Sequence, residues 1–300
     1  MNGVILGSEA REALDAGWGV VALETSVIGQ GLPHPRNLEC AERMSGAIRA
    51  TGSLPAWIGV IEGAVRVGLT VEELAMFAEP GRALKVARRD LPAAAARGVL
   101  GATTVSAAIW AAAAAGIRVG ATGGIGGVHR GGRDDVSADL LELARTPGLL
   151  VCSGPKSIVD AVSTAERLEE LGVALIGYGT DRLPFFLARE APVGLEHRAD
   201  SAHEAAAMLR AADALATRST LLLCNPIPKS DAMDGDEIAA ATAQAERMRA
   251  DAGVRGKETT PFLLAALAEI TQGRSLVANL ALLEDNARVA GEIAAAFAVA

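Results

Sequence analysis

One lysine and a few carboxylates stand where this chain could do chemistry. Lys156 closes the turn Ser153-Gly154-Pro155-Lys156, which abruptly ends the apolar run 149–152. Asp134, Asp135 and Asp139 lie upstream, behind a glycine-dense stretch at 122–132. Glu24 directly follows another apolar run, 20–23. A lysine amine is a candidate nucleophile, carboxylates are ligands for hard divalent cations, and a glutamate in a cleft is a candidate general acid or base. Each has a plainer counterpart. Lys156 could be an exposed lysine at a strand end, and Glu24 a capping or surface carboxylate, since buried glutamate is rare without a partner.

The elements that would position these groups follow from hydrophobic period and from glycine and proline punctuation. Residues 118–160 read as strand, glycine loop, short helix (139–145), strand, loop, helix. In a parallel α/β sheet both loops open at the carboxyl ends of strands, where ligands bind. The glycines lack P-loop spacing, and no helical pattern follows them as a dinucleotide fingerprint requires. Before this stretch the pattern predicts a helix over 4–16, a strand over 20–23 and an irregular segment over 29–35. A helix over 37–51, a strand over 56–61 and a capping box from Thr70 to Glu73 come next. A strand over 83–87 carries Lys85 and runs into Arg88-Arg89-Asp90, either a solvated edge or an anion site. Thr104 or Ser106 opens an alanine helix over 107–115, as a simple N-cap or as part of a phosphate cradle.

Beyond 160 the pattern predicts a helix to 171, a strand over 173–179, mixed helix and strand over 215–223 and a helix over 236–250. Another helix opens with Thr260 as N-cap and Pro261 at its first position, and a final one covers 275–298. Asn279 and Asn286 lie two turns apart on roughly one face of it, placed to bind backbone or to line a pocket. No repeat, linker or composition break divides the chain, which predicts a single domain over 1–300.

Composition narrows the function. The 300 residues are 50% hydrophobic and only 3% aromatic, so the core must rest on close-packed Ala, Val, Leu and Ile. A net charge of −8 argues against a nucleic-acid polymer as partner, while a small anionic ligand needs only a few local cations and N–H groups. Cys40, Cys152 and Cys224 have no metal-ligand spacing and suit reduced thiols. The apolar run 106–117 is too short to span a bilayer, and no signal pattern opens the chain, so a soluble cytoplasmic α/β enzyme is expected.

Several motifs carry a further resemblance: ALETSVIGQGLPHP (22–35), GVIEG (59–63), KVARRDLP (85–92), GATTVSA (101–107), TGGIGGVHRG (122–131), DVSADLLEL (135–143) and GPKSIVD (154–160). GYGTD (177–181), NPIP (225–228), TPFLL (260–264) and GRSLVANLALLEDNA (273–287) continue it. In their joint order and spacing the chain resembles the indigoidine synthase A-like family of pseudouridine-5'-phosphate glycosidases. The resemblance implies a three-layer α/β/α fold with a central, mostly parallel or mixed sheet, a homotrimer, and one Mn²⁺ per subunit. It implies Lys156 as covalent nucleophile, Glu24 as proton donor and Asp135 as metal ligand. Lys85, Val105, His129, Ser137, Ala138, Asp139 and Asn279 match substrate-contacting positions. Two departures stand out: Pro155 just before the lysine, and a loop between His129 and Asp135 shorter than in many relatives.

The implied reaction is reversible cleavage of pseudouridine 5'-phosphate to uracil and ribose 5-phosphate through a lysine imine, a lyase chemistry of nucleotide catabolism. The carbon–carbon bond explains the need for lysine, because it offers no glycosidic heteroatom to protonate. Two other readings fit the same residues. A class I aldolase-like sugar-phosphate lyase would use Lys156 without any nucleobase. A non-catalytic nucleotide-binding module would bind without turnover and leave Glu24, Asp135 and Lys156 without a purpose.

Overall fold

Short runs of Val, Leu and Ile with little polar interruption suit parallel strands covered on both faces. The computed structural model describes residues 3–130 and 135–298. Its strands are β1 (Val4–Leu6), β2 (Val20–Glu24), β3 (Leu54–Ile61), β4 (Ala64–Val67), β5 (Leu84–Val86), β6 (Gly101–Thr103), β7 (Val119–Ala121), β8 (Val128–His129), β9 (Gly148–Cys152), β10 (Val159–Asp160), β11 (Leu175–Tyr178), β12 (His197–Ala199) and β13 (Thr220–Cys224). The main sheet runs β1-β4-β3-β2-β7-β9-β13-β11-β12. From β3 through β2, β7, β9, β13 and β11 to β12 every pairing is parallel. At the other end β4 lies antiparallel to β3, and β6, with β5 beside it, extends the second half of β3. β8 and β10 form a separate antiparallel ribbon.

Helices cover both faces of this mixed sheet. Side chains alternate along each strand, so Val21 and Leu23 pack under the helices Arg36–Ala50 and Arg274–Ala298. Val20 and Ala22 face the alanine helix Val105–Ala114 on the other side. Leu150 and Cys152 pack on that same side, against the helices Ala138–Leu143 and Ala161–Glu170. The expected three layers are therefore present. No helix among the described residues is long and apolar enough to cross a membrane.

Some local expectations give way to tertiary context. The segment 4–16 is not one helix: Val4–Leu6 joins the sheet beside β4, and the helix is Ser8–Asp15. The 29–35 segment is not wholly irregular, since Val27–Gly31 makes one wide helical turn anchored by the N–H groups of Ile28 and Gly29 on the Thr25 carbonyl. The 215–223 stretch resolves into strand β13 alone, preceded by the helix Ala202–Ala214. The helix near Pro261 starts at Thr259 with Glu258 as its N-cap. Pro261 still falls in the first turn, where its missing N–H costs no intrahelical bond. Asp134 lies outside the described residues, as does most of the loop joining His129 to Asp135.

Candidate functional site

Three neighbouring parallel strands, β2, β7 and β9, end side by side, and the site is built on their carboxyl ends. Glu24 is the last residue of β2 and is 6% exposed. Its Oε1 accepts a hydrogen bond from Thr122 Oγ1 at 2.6 Å, from the residue just past β7. Burial pushes the Glu24 carboxyl up to about 7, against the opposing pull of the Thr122 bond and the Lys156 charge. A carboxyl poised there can hold or release a proton at neutral pH.

Lys156 follows β9 through a turn that glycine alone can make. Gly154 has φ of +76°, and a Cβ there would sit 2.0 Å from the Pro184 carbonyl oxygen. The turn is zipped to the loop after β7: Ile125 N–H donates to Gly154 O, and Lys156 N–H donates to Ile125 O at 3.0 Å. Lys156 and Glu24 line the same cavity, of about 340 Å³, a size suited to a small-molecule ligand.

Another part of the lining comes from 135–139 and the start of the alanine helix. Ser137 caps the helix Ala138–Leu143 by accepting from Asp139 N–H. The Asp139 carboxylate is buried and already accepts from the N–H groups of Ser106 and Gly126 at 3.1 and 3.0 Å. It therefore binds the wall together while lining the cavity. Val105, Ser137, Ala138 and Asn279 line it too, and the buried Asn279 Oδ1 has no hydrogen-bond partner among the described residues. Thr104, not Ser106, is the N-cap of Val105–Ala114, with its hydroxyl against that of Ser106 rather than on backbone.

Among the described residues four cations reach this cavity: Lys85, Arg89, Lys156 and Lys257. Burial lowers the Lys85 ammonium to about 8, with the charge of Lys156 as the next contribution. Arg88 is spent elsewhere, paired with the buried Glu142 at 2.5 Å and stacked over Trp110. Arg88 and Arg89 thus divide between a structural ion pair and the cavity. Lys257 Nζ, from a turn 167 residues further on, reaches Asp90 Oδ2 at 2.8 Å.

Asp135 also lines the cavity, and among the described residues its carboxylate has no hydrogen bond or ion pair. Among those residues no three His, Cys, Asp or Glu side chains gather as a metal cage. One free carboxylate beside open space fits a hard divalent cation that keeps most of its water and borrows oxygens from a ligand. His129 lies elsewhere than the sequence motif implies. It lines a neighbouring cavity of about 360 Å³ with Arg130, Glu246 and Arg249, and among the described residues only Asp135 borders both. Burial pushes the His129 imidazole down while Asp135 pulls it up.

Thr122 and Asn286 are the partners that sequence reading missed or left open. Asn286 is fully buried, and its Nδ2 reaches Thr122 O at 2.9 Å, Gly123 O at 3.3 Å and Ser153 Oγ at 3.1 Å. Its Oδ1 accepts from Asn225 Nδ2 at 3.0 Å. Its signals in the sequence were its shared face with Asn279 and its place in the motif over 273–287. Nothing marked Thr122 as the partner of Glu24, 98 residues away.

Comparison with known proteins places this geometry in context. The family model described as indigoidine synthase A like protein matches residues 9–296. A pseudouridine-5'-phosphate glycosidase from Methylobacterium nodulans is 46% identical over 290 residues, 96% of this chain and 86% of the relative. One of the same name from Symbiobacterium thermophilum is 47% identical over 294 residues, 96% of each chain. Among solved structures, the prealnumycin C-glycosynthase AlnA in complex with ribulose 5-phosphate superposes with a TM-score of 0.91 at 40% identity, over 100% of this chain and 98% of the other.

Proposed function

This chain belongs to the indigoidine synthase A-like family, and on that premise we propose that it cleaves the carbon–carbon bond of pseudouridine 5'-phosphate to give uracil and ribose 5-phosphate. One observation carries the proposal. A buried, protonatable Glu24 and the amine of Lys156 open into a single cation-rich cavity. Relatives named for this reaction at 46–47% identity support the substrate, and a neighbour holding ribulose 5-phosphate supports a sugar phosphate in the cavity.

The residues divide the work as follows. The neutral amine of Lys156 attacks C1', forming a C–N bond as the bond from C1' to the ring oxygen breaks, and Glu24 protonates that oxygen. The new C–N nitrogen gives a proton to the Glu24 carboxylate, its lone pair then expels the base as C5 of uracil takes a proton, and an imine remains on Lys156. Water hydrolyses the imine and frees ribose 5-phosphate. Lys85 and the N–H of Val105, which among the described residues at the start of Val105–Ala114 is not already bonded, are suited to the phosphate. Asp139 holds that helix start against the glycine loop. Asp135 would hold Mn²⁺, which supplies positive charge beside substrate oxygens. We extend the proposal to a homotrimer, closed symmetry being the rule for homo-oligomers. Light scattering at the 30.6 kDa of one chain would refute that part.

The deciding experiment incubates purified protein with pseudouridine 5'-phosphate and Mn²⁺ and measures free uracil. Release of uracil is expected. Cleavage only of sugar phosphates that carry no base would favour an aldolase-like lyase, and tight binding without turnover would favour a non-catalytic module.

A further inference from the structure

We infer that Asn286 is a positioning residue that fixes the proton donor and the nucleophile in one frame, so that neither is correctly placed without it. The inference rests on the roles proposed above for Glu24 and Lys156. Its geometric basis is the position of one buried amide at the ends of three adjacent strands. The Asn286 side chain contacts the residues that follow β7, β9 and β13: Thr122 and Gly123, Ser153, and Asn225.

The orientation of the amide is set by what it faces. Two carbonyl oxygens, of Thr122 and Gly123, require the NH₂ group on that side, and the Asn225 amide requires a carbonyl on the other. The Thr122 peptide held by this bond carries the hydroxyl that donates to Glu24 at 2.6 Å. Ser153 begins the turn to Lys156, and its own N–H donates to Gly123 O at 2.9 Å, the carbonyl that Asn286 also reaches. One side chain thereby fixes the roots of both loops, while the bonds between Ile125, Gly154 and Lys156 transmit that alignment outward. No other buried side chain among the described residues bonds to the segments after all three strands.

The frame makes a statement about Glu24 that can be read without any turnover. If Asn286 sets the direction of Thr122, its loss weakens the Thr122 bond, which holds the carboxyl down against burial. Glu24 should then titrate at higher pH, as it should in Thr122→Val, where the hydroxyl is gone. Because both changes act through one bond, combining them should add little to either alone. A residue that merely stabilised the fold would not move this titration.

The test uses the full-length protein with Asn286→Leu, close to asparagine in shape and uncharged. Asn286→Ser, which keeps a donor in a smaller side chain, serves should the leucine variant fail to fold. Thermal melts identify the folded variants, and ¹³C NMR of glutamate-labelled protein follows the Glu24 carboxyl, assigned through Glu24→Gln. An upward displacement of about one pH unit is expected, reproduced in Thr122→Val and not enlarged in the double variant. In turnover, kcat should fall by about 100-fold with KM altered less than about threefold, the pattern of misaligned groups rather than lost binding. A folded variant whose Glu24 titrates as in the wild type overturns the inference, as does full additivity with Thr122→Val. Should the wild type release no uracil, the functional reading fails, and the carboxyl titration still decides the role of Asn286.

Discussion

Glu24→Gln isolates the cost of burying an ionisable group at the site. Glu24 is 6% exposed, and burial raises its carboxyl from 4.5 to about 7. The folded protein therefore holds a proton between those values that the unfolded chain has released. Stability must fall as pH rises through that window and level off above about 7. At about 1.4 kcal/mol per pH unit, the carboxylate at pH 8 costs the fold roughly 3 kcal/mol relative to a group that stays neutral. Glutamine keeps the shape and can still accept the Thr122 bond, yet never ionises. Urea unfolding of both proteins from pH 4 to pH 8 should show near-equal stability at pH 4 and a glutamine advantage of about 3 kcal/mol at pH 8. The same variant should lose about 10²–10⁴ in kcat, because an amide cannot serve as the acid. A stability difference that stays constant across this range would refute the burial argument, whatever happened to activity.

Three further outcomes follow from the cavity. Borohydride added with ribose 5-phosphate should trap an amine on the peptide containing Lys156; Lys156→Ala should abolish both labelling and turnover, and Lys156→Arg should be equally inactive, since a guanidinium stays protonated. EDTA should lower activity and Mn²⁺ restore it, while Asp135→Ala should stay inactive at any Mn²⁺ concentration; full activity of metal-free protein would count against Asp135 as ligand. Lys85 titrates at about 8, so its charge is complete below that value and lost above it; KM should rise from pH 7 to pH 9, and Lys85→Met should raise KM at pH 7 and flatten that rise.

Local pattern made much of this architecture legible. The runs at β2, β3, β7 and β9 are apolar because both faces of the sheet are covered, and that signal survives without any knowledge of neighbours. Glu24, Lys85 and Lys156 stood out as candidates for a related reason: a charged residue within or shortly after an apolar run has to be explained, although each also had a plain surface reading. What could not be read was pairing between distant segments. The edge strand Val4–Leu6 looks helical in isolation and becomes a strand only because β4 offers it hydrogen bonds. His129 belongs to the motif TGGIGGVHRG, yet the β8–β10 ribbon places it on the neighbouring cavity. Arg88 and Arg89 are adjacent and chemically alike, but Glu142, which claims only the first, lies 54 residues away.

The helix Arg274–Ala298 also bears on how an active molecule is assembled in time. It supplies Asn279 and Leu283 to the cavity, and its Asn286 bonds reach back 133 residues to Ser153 and 164 to Thr122. Loops of that length close late and slowly, because ordering entropy is spent before distant contacts repay it. A refolding chain could pair its parallel strands and show nearly full helix content while this helix remained unseated, with one wall of the cavity missing. Catalytic activity regained after dilution from denaturant should lag behind the recovery of far-UV circular dichroism, and the interval between them would time the docking of this one helix.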